Sequence, residues 1–200
     1  MLKRKITENL NSWREDLNKK ILFLKGPKFV GKTTSVKLFA ESNYEYVVYL
    51  NFEESPLLKS IFTSSLAISN LLKQMSLKLP PHKLIPGKTI LILDEIHLCP
   101  QARKGAYVLS EEKNIDIILI SSYHQANRDK FDSTITEFEE ELLMSSLDLE
   151  EFFWAHGIHE ETIKLVKEHF LNKTVIPSTI HEQLIEFFKE YMIVGGLPEI

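Results

Sequence analysis

One cysteine in 200 residues excludes an internal disulfide framework, and Cys99 alone cannot supply a multi-cysteine zinc site. No apolar run approaches the roughly 20 residues that span a bilayer, so no membrane helix is expected. The basic start, Met1-Leu-Lys-Arg-Lys-Ile, lacks the apolar stretch and small-residue cleavage site of a secretory signal. These absences point to a reducing, cytoplasmic setting with no membrane partner. Net positive charge is missing too: the formal charge is −4 and the pI about 6.0, which leaves no overall footprint for a nucleic-acid backbone. Nucleic acid is therefore a disfavoured partner. The local clusters Lys3-Arg4-Lys5 and Lys19-Lys20, with Lys25 and Lys28, read as solvated edges. Arginine is scarce, confined to Arg4, Arg14, Arg103 and Arg128.

Buried-strand patterns are plentiful. Ile21-Leu-Phe-Leu, Tyr46-Val-Val-Tyr-Leu, Thr89-Ile-Leu-Ile-Leu and Ile115-Asp-Ile-Ile-Leu-Ile are nearly continuous apolar runs, the mark of parallel strands covered on both faces. Helical spacing runs from Ile6 to Asn18, from Thr33 to Ser42, within Pro56 to Leu79, and from Pro100 to Ser110. Strands alternating with helices predict an α/β fold, a three-layer α/β/α sandwich around a mostly parallel sheet. After about Tyr123 the strand signal stops. Leu149 to His156, Glu160 to Asn172 and Ser178 to Val194 then predict a small helical region. The expected division is a core over 1–145 and a helical portion over 146–200. Val194-Gly-Gly-Leu-Pro-Glu-Ile200 ends without an obvious closing element, so a further domain is expected beyond it.

Between the first strand and its helix stands Gly26-Pro27-Lys28-Phe29-Val30-Gly31-Lys32-Thr33, followed by Thr34, which fits G-x-x-x-x-G-K-[ST] at every fixed position. The glycines allow a tight turn whose N–H groups face phosphate oxygens. Lys32 reaches the β- and γ-phosphates as a point charge, and the Thr33 hydroxyl enters a Mg²⁺ shell. The helix that follows turns its positive end to the anion. Asp94 closes an apolar strand and suits the second Mg²⁺ contact, through water. Glu95 follows it, where a carboxylate can orient the water that attacks the γ-phosphate. With no Asn-Lys-x-Asp guanine signature, ATP with Mg²⁺ is the expected ligand pair.

The strand and helices between the phosphate loop and Asp94-Glu95 resemble the additional-strand, catalytic-glutamate branch of P-loop NTPases. Several stretches together resemble one family, the prokaryotic AAA+-like ATPases of the archaeal-ATPase type, which carry a further C-terminal domain. They are Gly26 to Thr34, Tyr49-Leu-Asn-Phe-Glu-Glu54, Leu91-Ile-Leu-Asp-Glu-Ile96 with Cys99-Pro100, Leu149-Glu-Glu-Phe-Phe153, and Val194-Gly-Gly-Leu-Pro198. The resemblance implies a γ-phosphate sensor at Ser121 or Ser122, where a plain strand-end serine is the alternative. It also implies that Asn51 restrains the glutamate, against the simpler role of capping a strand end.

The family's Gly-Arg pair is missing, and Glu137 to Glu141 is acidic in its place. An arginine on the transferring phosphoryl group is worth roughly 10³–10⁵ in rate. Slow hydrolysis by this chain alone is therefore expected, with Arg128, Arg103, or a protein partner or second copy as the arginine's source. Two alternatives stand beside a Mg²⁺-dependent ATPase. One is a nucleotide-gated interaction module with little turnover, in which ATP orders Tyr123 to Met144. The other is a helicase fragment, since Asp94-Glu-Ile-His97 spells a DExH box, although no second RecA-like domain is in view.

Overall fold

The apolar runs become strands, and those inside the sheet bury both of their faces. The computed structural model describes residues 2–81, 83–122 and 137–198. Five strands form one parallel sheet: β1 (Ile21–Gly26), β2 (Tyr46–Asn51), β3 (Thr89–Asp94), β4 (Asp116–Ser122) and β5 (Glu139–Leu143). Their order is β2-β3-β4-β1-β5. Alternate side chains supply two cores. Phe23, Leu91, Leu93, Ile117 and Leu119 pack with α3 (Ile68–Lys78) and α4 (Pro100–Lys113). On the other face Leu22, Leu24, Ile90, Ile92, Ile118 and Ile120 pack with α1 (Ile6–Glu15) and α2 (Lys32–Asn43). The result is the three-layer α/β/α sandwich. Each fully buried Leu, Ile or Phe contributes about 1.5–3 kcal/mol relative to exposure, so the strand ends are held firmly. Pro56–Ile61 forms a 3₁₀ helix ahead of α3.

β4 starts from an anchored residue. The Tyr44 hydroxyl donates to Asp116 Oδ2 at 2.6 Å, and Lys19 Nζ lies 3.3 Å from the same oxygen. Burial, then Asp116 itself, pushes the Tyr44 hydroxyl's pKa up and keeps it a donor.

The strand signal was expected to stop near Tyr123, but the acidic run Glu139-Glu-Glu-Leu-Leu143 is β5, paired in parallel with β1. An edge strand can carry charge toward water, and Glu140 and Glu141 are exposed. Glu139 is buried and neutralised from α4: Arg103 Nε donates to its Oε1 at 2.5 Å, and Arg103 Nη2 donates to Oε2. The guanidinium also lies 5.2 Å from the Phe23 ring centroid. This corrects the expectation that Arg103 could serve a transferring phosphoryl group, because it is committed inside the fold. Arg128 lies outside the described residues.

Beyond the sheet come α5 (Leu149–Ala155), α6 (Glu160–Leu171) and α7 (Ser178–Val194). Asp148 caps α5 in a full capping box with Glu151. Phe152 meets Tyr191 of α7 at 5.2 Å between ring centroids. Among the described residues no helix is long and apolar enough to cross a membrane.

Candidate functional site

β1 ends at Gly26, where the chain has no room for a side chain. A Cβ there would lie 2.0 Å from the carbonyl oxygen of Met144, whose own N–H donates to Lys25 O at 2.8 Å. Sheet packing alone thus requires the first glycine. Gly31, at φ +92°, is the N-cap of α2, and no side chain caps the helix. Its first N–H groups and the positive end of its dipole are turned to the loop. Phe29 also has positive φ (+67°), a conformation costing a non-glycine residue roughly 1–2 kcal/mol. Lys28 and Phe29 form the loop's turn after the exposed Pro27, with Lys28 Nζ 3.3 Å from Glu53, and Val30 is buried.

Lys32 is only 6% exposed, and its Nζ donates to Gly26 O at 3.0 Å and Pro27 O at 2.6 Å. Burial pulls its ammonium below the usual lysine range, while Glu95 and then Asp94 oppose that. Both carboxylates therefore act on the same amine. Asp94, 1% exposed at the end of β3, accepts from the Thr33 hydroxyl at 2.6 Å and the Tyr49 hydroxyl at 2.9 Å, both on Oδ2. Burial and the Asp94 charge push the Tyr49 pKa up, so it stays protonated and donating. A hydroxyl beside a carboxylate is a pair of hard oxygen ligands, the kind Mg²⁺ takes together with phosphates.

Glu95 turns out of β3 with φ +51°. Its Oε1 accepts from Ser122 Oγ at 2.8 Å, and its Oε2 lies 3.1 Å from His97 Nδ1. The sheet order explains this meeting. β4 sits between β1 and β3, and its Ser122 is the register partner of Gly26. Ser121 Oγ is 3.4 Å from His97 Nδ1. Asn51 has other partners: its Oδ1 accepts from the N–H groups of Glu53 and Glu54, and its amide donates to Tyr49 Oη and Glu54 Oε1. Asn51 thus caps the end of β2 and braces Tyr49, while Ser122 holds the glutamate. Lys32, Thr33, Asp94, Glu95 and the β4 serines come together, and the Asn51 side chain reaches them through Tyr49 while its backbone pairs with Asp94.

Two residues of this constellation were assigned no role from the sequence, although Tyr49 opens the stretch Tyr49-Leu-Asn-Phe-Glu-Glu54. Tyr49 read as an ordinary strand aromatic; its position in β2, two residues before Asn51, which pairs with Asp94, was the available signal. Arg4 read as part of a solvated basic edge, yet it is 8% exposed. It donates to Val30 O of the loop at 2.7 Å, to Ser145 O at 2.8 Å and to Glu151 Oε1 at 3.1 Å. Arg4 also lines a cleft of ≈ 530 Å³ beside the loop with Leu2, Phe29, Thr34, Leu38 and Pro198. Pro198 comes from the Gly-Gly-Leu-Pro segment, which docks back on the core. Leu147 N–H donates to Gly196 O at 2.7 Å, and a Cβ on Gly196 would lie 2.1 Å from Leu147 O.

Residues 18–153 match the family described as AAA domain. No curated protein matches the chain in sequence. Among solved structures, AMPPCP-bound DnaA from Aquifex aeolicus aligns with TM-score 0.49 and 15% identity, over 96% of this chain and 61% of that one. The Aeropyrum pernix ORC1 protein in complex with DNA gives TM-score 0.47 and 17% identity, over 74% and 45%. The Thermotoga maritima RuvB Holliday junction branch migration motor gives 0.46 and 15%, over 83% and 52%. The chain spans about half the length of the solved structures it matches.

Proposed function

The chain belongs to the AAA domain family, and from that premise we propose that it binds ATP with Mg²⁺ and hydrolyses the β–γ phosphoanhydride bond. The observation that carries the reading is the convergence of Lys32, Thr33, Asp94 and Glu95 at the carboxyl ends of β1 and β3. The backbone N–H groups of Lys28 to Thr34, which run into the start of α2, receive phosphate oxygens, and Lys32 supplies the point charge. Thr33 and Asp94 would hold the cation, Mg²⁺, which would supply neutralisation of the phosphate charge. Glu95 orients a water toward the γ-phosphorus and takes its proton as the bond to the bridging oxygen breaks and ADP leaves. The cleft between Leu2, Phe29, Leu38 and Pro198 receives the base and ribose; its volume of ≈ 530 Å³ is of the size small-molecule sites have.

Equilibrium ATP binding and single-turnover hydrolysis test this directly. Lys32→Ala and Asp94→Asn are expected to weaken ATP·Mg²⁺ binding by about tenfold or more, roughly 1.4 kcal/mol. Glu95→Gln is expected to bind as the parent does and to hydrolyse about 10²–10⁴-fold more slowly. Unchanged ATP affinity in Lys32→Ala would sink the reading.

One observation favours a low-turnover variant of it. Among the described residues Arg4 and Arg103 are spent on internal partners, and Arg14 donates to Asn43 O at 3.4 Å. We read the activating arginine as supplied by a protein partner or a second copy. Tight ATP binding without product, unaltered by Glu95→Gln, would instead make the chain a nucleotide-gated interaction module.

A further inference from the structure

We infer that His97 is a positioning residue for hydrolysis, fixing the Glu95 carboxylate jointly with Ser122; this rests on the reading of Glu95 given above. The glutamate leaves β3 in the left-handed region, which swings its side chain across to the end of β4. Its two oxygens then meet different partners. Oε1 takes the Ser122 hydroxyl at 2.8 Å, and Oε2 faces His97 Nδ1 at 3.1 Å, with the Ser122 N–H a longer 3.4 Å away. His97 stands on the short 3₁₀ turn Ile96–Leu98 that directly follows the glutamate, so the contact is built into the local chain path. The imidazole side chain is 15% exposed and the carboxylate 13%, so water competes little for either.

A carboxylate held from one side pivots about its remaining torsions. Contact on both oxygens removes that freedom and leaves the outer lone pairs aimed in one direction. A displacement on the order of 1 Å in a group that must meet a bound water costs about 10²-fold in rate. The contact is attractive when Nδ1 carries the proton, and imidazole can present that N–H in its neutral form. The histidine of the DExH spelling thus serves the glutamate beside it.

The test uses the 200-residue chain with ATP·Mg²⁺. His97→Ala should lower kcat about 10- to 100-fold, with KM and ATP affinity within twofold of the parent. His97→Asn, whose amide can take the place of Nδ1, should recover most of that loss, whereas His97→Gln should not. In a Glu95→Gln background, His97→Ala should cause no further fall in single-turnover rate. Parental kcat in His97→Ala, or an equal loss with and without Glu95, would overturn the inference while leaving the Glu95 reading intact. Parental hydrolysis by Glu95→Gln alone would overturn both. Should the alanine variant unfold, the contrast between Asn and Gln decides the matter.

Discussion

Replacing Arg4 by methionine removes a charge and three hydrogen bonds while keeping most of the aliphatic volume. Breaking a buried ion pair by deleting one partner costs about 3–5 kcal/mol, because the other charge is left behind. Here the stranded Glu151 keeps the N–H groups of Lys5 at 2.7 Å and Asp148 at 3.1 Å, which places the loss near the lower end. About 3 kcal/mol in a chain of this size lowers Tm by roughly 6–12 °C. The second effect is local. Val30 O loses its donor, so the loop that should cradle phosphate is no longer tied to Ser145 and α5. ATP affinity should fall about tenfold, near 1.4 kcal/mol. Thermal unfolding and calorimetric titration with ATP·Mg²⁺ read both quantities. Arg14→Met, which loses one long bond to Asn43 and an exposed contact over the Tyr44 ring, is the control and should stay within about 1 kcal/mol. An Arg4→Met protein that melts and binds ATP like the parent would refute the reasoning.

Gly26→Ala should destabilise the fold even without nucleotide, since its methyl meets a backbone oxygen that can move only with β5; strain of this kind costs about 1–3 kcal/mol, measurable by urea unfolding. Arg103→Leu should cost about 3–5 kcal/mol by leaving Glu139 buried and unpaired, and the double change with Glu139→Leu should restore most of it; a loss of turnover in a fully stable Arg103→Leu would contradict its structural role. Lys5 and Lys167 hold the Glu150 carboxyl below its usual range. Its stabilisation is therefore complete above about pH 4.3, the ordinary glutamate value, and is lost as pH falls through the lower folded value. Lys5→Met should flatten that acid limb of the stability curve, by no more than ~1 kcal/mol because the pairs are partly exposed.

Much of the sheet was legible because β1, β3 and β4 are buried on both faces, and a doubly buried strand leaves an apolar run that needs no partner to be recognised; β2, at the sheet's edge with Val47 exposed, was legible from its β-branched and aromatic residues instead. The loop from Gly26 to Thr34 was legible for a similar reason: its chemistry is contiguous. β5 was not, since its edge position lets Glu140 and Glu141 face water and Glu139 becomes buriable only through an arginine 36 residues away. Arg4 was hidden in the same way, with Glu151 147 residues along the chain. Asn51 and Ser122 lie between these cases. Strand ends marked Asn51 as the restraint on the glutamate and Ser121 or Ser122 as a γ-phosphate sensor, but which of them touches the glutamate depends on the left-handed turn at Glu95, and no local pattern announces that turn.

The anchoring of Asp116 has a bearing on the opposite end of its strand. A strand that alternates apolar and polar residues corrects its own alignment, because a slip by one residue would turn its oily side to water. β4 has a weaker safeguard: Ile117 and Leu119 feed one core, Ile118 and Ile120 the other, so along most of its length a slip exchanges one apolar side chain for another, and only Asp116 or Ser121 would enter a core. What distinguishes the right alignment is polar and sits at the tips, Tyr44 and Lys19 on Asp116 at one end and Glu95 on Ser122 at the other. The two tips act like pins on a ruler. Loosening the first should lower the cost of the shift that exchanges which of two consecutive serines meets the glutamate, against the ladders to β1 and β3 that still oppose it.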